Sequence, residues 1–421
     1  MKYLGYDPFQ EISWVTPKIR TVYCRAIIPP IVYHNQEDYQ FTDLTIYVPE
    51  ESLNLYLASD YWKPYSKYIK DYKYTDLPTP DYYISTDYSK DGAMTPLCRA
   101  SKGNGIDVVL MGDGYSDRQI ADGTYERVMK LAYEKLFTEE PYKSHKELFN
   151  VYYVTAVSPT EGYEYGNTAF GGWFGDGTAV GGNDNVAMSY ALNAVEESRL
   201  NNTAIVVMMN SDRYAGTCYM YDPDGANDYG SGVSVSYFPV GTDEAQLEQL
   251  LHHETCGHGF TKLADEYAYD YMGAVPADQV AATQSQRAWG WWKNVDFTSD
   301  TTQVLWAKFI SDERYKYDGL GAYEGGMTYW SGVWRPTENS IMNTNVGGFN
   351  APSREAIYYR IHKLAYGNSW TYDYEKFVEY DEINRKTVAM QATVRPMVLR
   401  PSEMTAPPVV VRKTWRDVLK R

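Results

Sequence analysis

Half of the histidines in this chain fall within seven consecutive residues. His252-His253-Glu254-Thr255-Cys256-Gly257-His258 holds three of the six histidines among 421 residues, and Asp265-Glu266-Tyr267 follows closely. Imidazoles beside carboxylates are zinc ligands by type. Crowding them in so histidine-poor a chain points to a zinc site rather than to a polar cluster in a core. A hydrolytic zinc site commonly sets two histidines at i and i+4 of a helix, and the Glu after the first acts as general base on the zinc-bound water.

The spacing here is one residue longer. His253 and His258 are five apart, which on a regular α-helix turns them about 140° from each other, too far to share an ion. A π-type bulge at Cys256-Gly257 would return both to one face, and Gly257 would ease it. On that reading His253 and His258 are ligands, Glu254 is the base, and His252 turns away into packing. Two i, i+4 pairings remain as alternatives: Glu254 with His258, and His252 with Cys256, which strands the other histidines. A third protein ligand leaves one position open for water. Asp265 is the choice and Glu266 the alternative, with Gly259 helping the chain turn back.

The elements that must position these residues follow from the pattern. A helix from Asp243 through Gln246, Leu247, Leu250 and Leu251 carries the histidines. The alternating segment Val233 to Pro239 precedes it, and its final proline reads as an edge strand to which an extended peptide could add. Buried-type strands are expected at Ile106 to Met111, Phe149 to Val157 and Thr203 to Met209. Gly112-Asp113-Gly114-Tyr115 leads into a helix capped by Ser116 or Asp117. Gly166 to Gly182 and Tyr219 to Gly232 read as loops; the first is rich in Asp, Asn and Gly but lacks the EF-hand spacing for calcium. From about 20 to 97, short β-branched and aromatic segments alternate with turn residues. The expected fold class is therefore α+β: an N-terminal antiparallel β-sandwich over 1–103, an α/β catalytic domain with a mixed sheet and a metal-binding helix over 104–370, and a C-terminal extension over 371–421. Thr387 to Val394 and Val409 to Val411 suggest late strands in that extension.

Composition removes several classes of function. A net charge of -16 without any cluster of Lys and Arg argues against nucleic acid, and no apolar run is long enough to span a bilayer. The 42 tyrosines against 12 phenylalanines suit wet, amphipathic surfaces. Cys24, Cys98, Cys218 and Cys256 show no CxxC pairing, so they form either two within-domain disulfides or four free thiols. Met1 to Pro8 shows no apolar signal-peptide core. With the acidic, tyrosine-rich composition, the expectation is an extracellular or cell-surface protein numbered from a processed start.

His253 to Tyr267, read as His-Glu-Thr-Cys-Gly-His-Gly-Phe-Thr-Lys-Leu-Ala-Asp-Glu-Tyr, resembles the signature of the IgA-peptidase family (M64) of zinc metallopeptidases. The resemblance extends to Ile106 to Tyr115 and to Asn167-Thr168-Ala169-Phe170, and covers about 105 to 368. Trp334 to Asn343 resembles the family's methionine turn, which in metzincin-like proteases places a methionine, here Met342, beneath the metal. A helix is expected from Pro352, capped by Ser353. The resemblance implies a zinc endopeptidase acting on protein or peptide substrates. In it Zn2+ is held by His253, His258 and Asp265, and Glu254 moves the proton. Arg335, Tyr267 and Tyr329 are candidates for holding the developing oxyanion. Two rivals keep the same residues: a zinc hydrolase of non-peptide amides, and a glycan- or host-protein-binding surface protein with a structural metal.

Overall fold

The computed structural model describes residues 3–6, 21–24, 26, 28–33, 44–73, 82–164, 166–225, 227–241, 243–385 and 404–419. The chain divides into two units, Met1–Tyr82 and Tyr83–Arg421. The division falls earlier than the expected boundary near 103, because the residues just before that point are built into the second unit.

The first unit has strands β1 (Tyr3–Tyr6), β2 (Thr21–Tyr23), β3 (Ile31–Tyr33), β4 (Thr45–Pro49) and β5 (Ile69–Tyr72). β1 pairs with β3, and β4 lies between β2 and β5; all of these pairings are parallel. The expected antiparallel sandwich is thus corrected. Parallel strands need long crossovers, and the connection from β4 to β5 carries the helix Leu53–Ala58 and the turn Lys63–Tyr68. Short strands separated by turn residues fit either arrangement, which is why the pattern misled. Leu44, Ile46 and Val48 alternate into a small core with Tyr56, Trp62 and Tyr65.

The second unit is built on seven strands. These include β6 (Met94–Cys98), β7 (Ile106–Asp113) and β8 (Phe149–Val154). After the small hairpin of β9 (Trp173–Phe174) and β10 (Val180–Gly181) come β11 (Ala204–Met209), β12 (Thr217–Tyr221) and β13 (Ser234–Pro239). A separate three-stranded sheet holds β14 (Ala268–Ala274), β15 (Tyr323–Gly326) and β16 (Thr328–Arg335), and β17 (Val409–Val411) returns to the main sheet. The main order is β17-β12-β13-β11-β7-β8-β6. The four strands β13, β11, β7 and β8 are mutually parallel, β12 is antiparallel to β13 but parallel to β17, and β6 is antiparallel to β8. This is a mixed α/β unit. β7, β11 and β13 are buried at every residue, as expected of strands covered on both faces. One face packs against the helices Thr124–Leu136 and Ala351–Tyr366 and the histidine helix, the other against the helix Asp184–Ala191 and Trp415.

Two expectations change here. β13 is an inner strand, because Thr217–Tyr221, partly read as loop, forms β12 along its outer side; Pro239 sits at its last paired position, opposite Met209. The helix Ala351–Tyr366 is capped by Asn350, whose side chain accepts from the Ser353 N–H, rather than by Ser353 itself. None of the four cysteines is in a disulfide. Thr387 to Val394 lies outside the described residues, and among those described no helix is long and apolar enough to cross a membrane.

Two further carboxylates organise the sheet's surroundings. Asp113, buried at the end of β7, accepts from the N–H groups of Phe170 and Gly172 and from the hydroxyls of Thr168 and Tyr163, which fixes the start of the glycine-rich loop. Asp184 accepts from the hydroxyls of Tyr221 and Tyr237.

On the helix Ala351–Tyr366, His362 stacks on Trp370 with ring centroids 4.9 Å apart and lies 5.0 Å from His145. Burial lowers His362 to about 4 and lowers His145 as well. Both are therefore neutral in the folded protein where the unfolded chain binds protons. Stability is full above the usual histidine value of 6.5 and declines as pH falls from there toward about 4. His362→Phe keeps the stacking but not the titration. It should reduce the fall in Tm seen by thermal melting across that window; a fall equal to that of the wild type would refute the assignment.

Candidate metal centre

The helix Glu244–Leu250, capped by the Asp243 carboxylate on the Gln246 N–H, continues directly into a π-helix over Leu251–Phe260. The distortion anticipated at Cys256-Gly257 is present and longer than a single bulge. With i→i+5 bonding, residues five apart share a face, and His253 and His258 do so. Glycine lets this helix lie close to its neighbours. A β-carbon on Gly257 would stand 2.3 Å from the Met342 sulfur, and one on Gly259 3.0 Å from the Ser234 hydroxyl of β13.

Lys262, not Gly259, makes the turn out of the helix. It adopts φ 60°, a left-handed conformation uncommon for a residue with a side chain. The Leu263 N–H then bonds the Gly257 carbonyl. The turn is stabilised from inside by the Lys262 ammonium, which donates to the Gly259 carbonyl at 2.7 Å and which burial lowers to about 7. It returns the chain so that the Leu263 carbonyl meets His258 and the Asp265 carboxylate meets both histidines.

His253 Nε2 and His258 Nε2 are 3.0 Å apart, and Asp265 Oδ1 is 3.1 Å from each. All three side chains are buried. The tautomers follow from the other ring nitrogens. His253 Nδ1 lies 2.9 Å from the Ile341 carbonyl and His258 Nδ1 2.7 Å from the Leu263 carbonyl. A carbonyl only accepts, so both Nδ1 atoms carry the proton in neutral rings, and both Nε2 lone pairs face the carboxylate. Three acceptors converge without a proton to share, an arrangement that a cation relieves. Ligand atoms about 2.0 to 2.2 Å from a tetrahedral zinc are about 3.3 Å from one another, so the observed set fits such an ion.

The remaining residues separate cleanly. Glu266 faces away from the histidines: its carboxylate accepts from Asn294, Asn350 and the Ser340 hydroxyl, and burial raises its pKa. It thereby ties the segment after the π-helix to Ser340, just before Met342, and to Asn350, the cap of the following helix. His252 points the other way, with Nε2 2.8 Å from the Lys135 carbonyl, and Cys256 is packed in the core. Arg335 donates to the carbonyls of Glu324 and Gly325, and Tyr329 packs against the cluster around Trp291 and Trp292. The Tyr267 hydroxyl donates to the Thr405 carbonyl at 2.8 Å.

Glu254 is fully buried, and neither carboxylate oxygen has a hydrogen-bond partner. Burial raises it to about 8, with His253 opposing the rise, Asp265 adding to it and the adjacent Thr405 hydroxyl opposing it weakly, close by but outside good hydrogen-bond geometry. Gly216 and Thr405 adjoin this carboxylate. Sequence reasoning missed them, as it missed Lys262. A glycine opening a strand and a threonine far along the chain carry no local signature.

The model of the family described as IgA Peptidase M64 matches residues 96–315, more than half of the chain. The chain belongs to this family. It is a peptidase, hence a hydrolase acting on protein or peptide substrates, and its buried His253, His258 and Asp265 could hold the metal that makes M64 members metallopeptidases. A comparison with curated proteins finds no match. The matched span begins within β6 and ends before Met342, so what links Met342 to the site of this M64 peptidase is its packing against Gly257.

That packing is testable. Gly257→Ala should force Met342 aside and cost about 1 to 3 kcal/mol of stability, with weaker zinc binding by calorimetric titration. Adding Met342→Ala should recover part of both losses. Losses that simply add would show that the two residues are not coupled.

Proposed function

We infer that this M64 member is a zinc-dependent endopeptidase whose general base is Glu254. The observation that carries the reading is the meeting of His253 Nε2, His258 Nε2 and Asp265 Oδ1 within 3.0 to 3.1 Å of one another, with both Nδ1 atoms facing main-chain carbonyls. His253, His258 and Asp265 would hold the ion, leaving a position for water and substrate. Zinc, when bound, supplies Lewis acidity toward the peptide carbonyl and acidifies the attacking water.

The chain's own residues do the rest. Glu254, one residue beyond His253 and held by no well-formed hydrogen bond, takes the proton from water and passes it to the leaving amine. Its unsatisfied oxygens argue against a purely structural metal, since a closed structural site has no use for a buried, unpaired carboxylate. The phenol of Tyr267 is held protonated, its pKa raised by burial and by Asp265. It is thus a donor within the site and the best placed of the three oxyanion candidates. Met342 beneath the π-helix supports the metzincin-like reading. The peptidase unit is taken as Tyr83–Arg421, C-terminal strand included, and the acidic, tyrosine-rich composition supports a place outside the cell or at its surface.

Glu254→Gln should lower kcat/KM on a peptide library by about 10² to 10⁴ while zinc content, measured by mass spectrometry, stays at the wild-type level. His258→Ala should lose the metal as well as activity. A zinc-loaded wild type that cleaves no member of a diverse library would sink the reading, as would a Glu254→Gln variant of undiminished activity.

A further inference from the structure

The C-terminal residues 404–419 return to the catalytic carboxylate. Thr405 is 1% exposed. A β-carbon on Gly216 would lie 2.6 Å from Glu254 Oε1 and 2.9 Å from Thr405 Cγ2, so the three residues meet at one point. Three hydrogen bonds hold the backbone there. The Thr178 hydroxyl donates to the Met404 carbonyl at 2.7 Å, Tyr267 donates to the Thr405 carbonyl, and the Ala406 N–H donates to the Gly216 carbonyl at 2.9 Å. After Pro407-Pro408, β17 pairs in parallel with Tyr219–Tyr221 of β12. The sequence offset from Gly216 to Ala406 is the same as that from Tyr219 to Val409. Residues 406 to 411 therefore run beside β12 in constant register, with Val409–Val411 as the added outer strand.

This segment uses what an extended peptide would need: the outer edge of β12, the side of Glu254 and the hydroxyl of Tyr267. Its fit is incomplete at the carboxylate. Thr405 Oγ1 lies beside the Glu254 carboxylate but outside good hydrogen-bond geometry with it, and all three oxygens are buried, a costly arrangement for a permanent core contact. The anchors lie farther on, where Trp415 is buried in the core and Arg416 donates to Asp224 at 2.6 Å. Added-strand recognition takes its affinity from main-chain hydrogen bonds, so an intramolecular strand on the same edge competes at high effective concentration.

The geometry points to residues 404–411 acting as an internal strap that occupies the peptide-binding edge of β12 and covers Glu254, so that peptide substrates bind by displacing it. The proposal rests on the peptidase reading and concerns how that site is regulated. The strap lifts from its Thr405 end while Trp415 keeps the chain attached.

The test uses the full chain. Ala406→Pro removes the N–H that bonds Gly216, and Thr178→Ala, a milder change, removes the bond to Met404. Each should raise kcat/KM on a fluorogenic peptide by about two- to tenfold, the worth of one hydrogen bond. A synthetic peptide of the sequence Met404 to Arg412 should inhibit these variants more strongly than wild type. Folded variants with wild-type kcat/KM and no difference in inhibition would overturn the strap. Amide exchange in Glu254→Gln separates this from failure of the peptidase reading. If no protein cleaves peptides, faster exchange at 404–411 on adding a peptide hydroxamate still supports displacement, and unchanged exchange refutes it.

Discussion

Two imidazole nitrogens and one carboxylate oxygen, all acceptors and all out of water, face one another at about 3 Å in the second unit. The rest of the unit is arranged around that constraint. The rings are aimed by carbonyl groups from two places in the chain, Ile341 before the last long helix and Leu263 just beyond the π-helix. Hydrogen bonds of this kind fix both the tautomer and the orientation of a histidine ligand. Each of those carbonyls therefore has to be delivered to within a few tenths of an ångström, which explains why so much structure converges on so few atoms.

Delivery depends on close approach and on buried carboxylates. Gly257 admits Met342 and Gly259 admits β13, so the π-helix is held between Met342 and the main sheet. Glu266 bonds Asn294, Ser340 and Asn350, and its N–H bonds the Met342 carbonyl. The segment after the π-helix, the stretch from Ser340 to Met342 and the helix Ala351–Tyr366 are thus tied into one network. A buried carboxylate costs stability unless its acceptors are filled, and those of Glu266 are filled entirely by this chain. Glu254 differs: it carries the burial penalty without a well-formed hydrogen bond to offset it.

Much of the site was legible in local spacing. Histidines five apart beside a glycine implied a π distortion, because no regular helix brings them together, and that is the conformation found. The choice of Asp265 over Glu266 could not be read in the same way. Adjacent residues differ by which way the chain faces after its turn, and that turn is made by Lys262, whose left-handed conformation no sequence rule favours. The strands β7, β11 and the inner part of β8 were visible as apolar runs. β13 was read correctly as a strand but placed at an edge, since its neighbour β12 is a tyrosine-rich segment next to loop residues. The first unit was misread more deeply, as short strands with polar breaks do not reveal whether the chain reverses or crosses over between them.

Sequence alone pointed to the two histidines, the acidic pair that follows them, the carboxylate beside His253 and the local helix distortion, all properties of residue type and short-range spacing. The tertiary structure decided what depends on partners remote in the chain: which nitrogen of each histidine is free, which of two adjacent acids turns inward, and what covers Glu254. Thr405 lies about 150 residues beyond Glu254. Its place in the site follows from strand pairing on β12, where main-chain bonds form between segments whose side chains need carry no shared pattern.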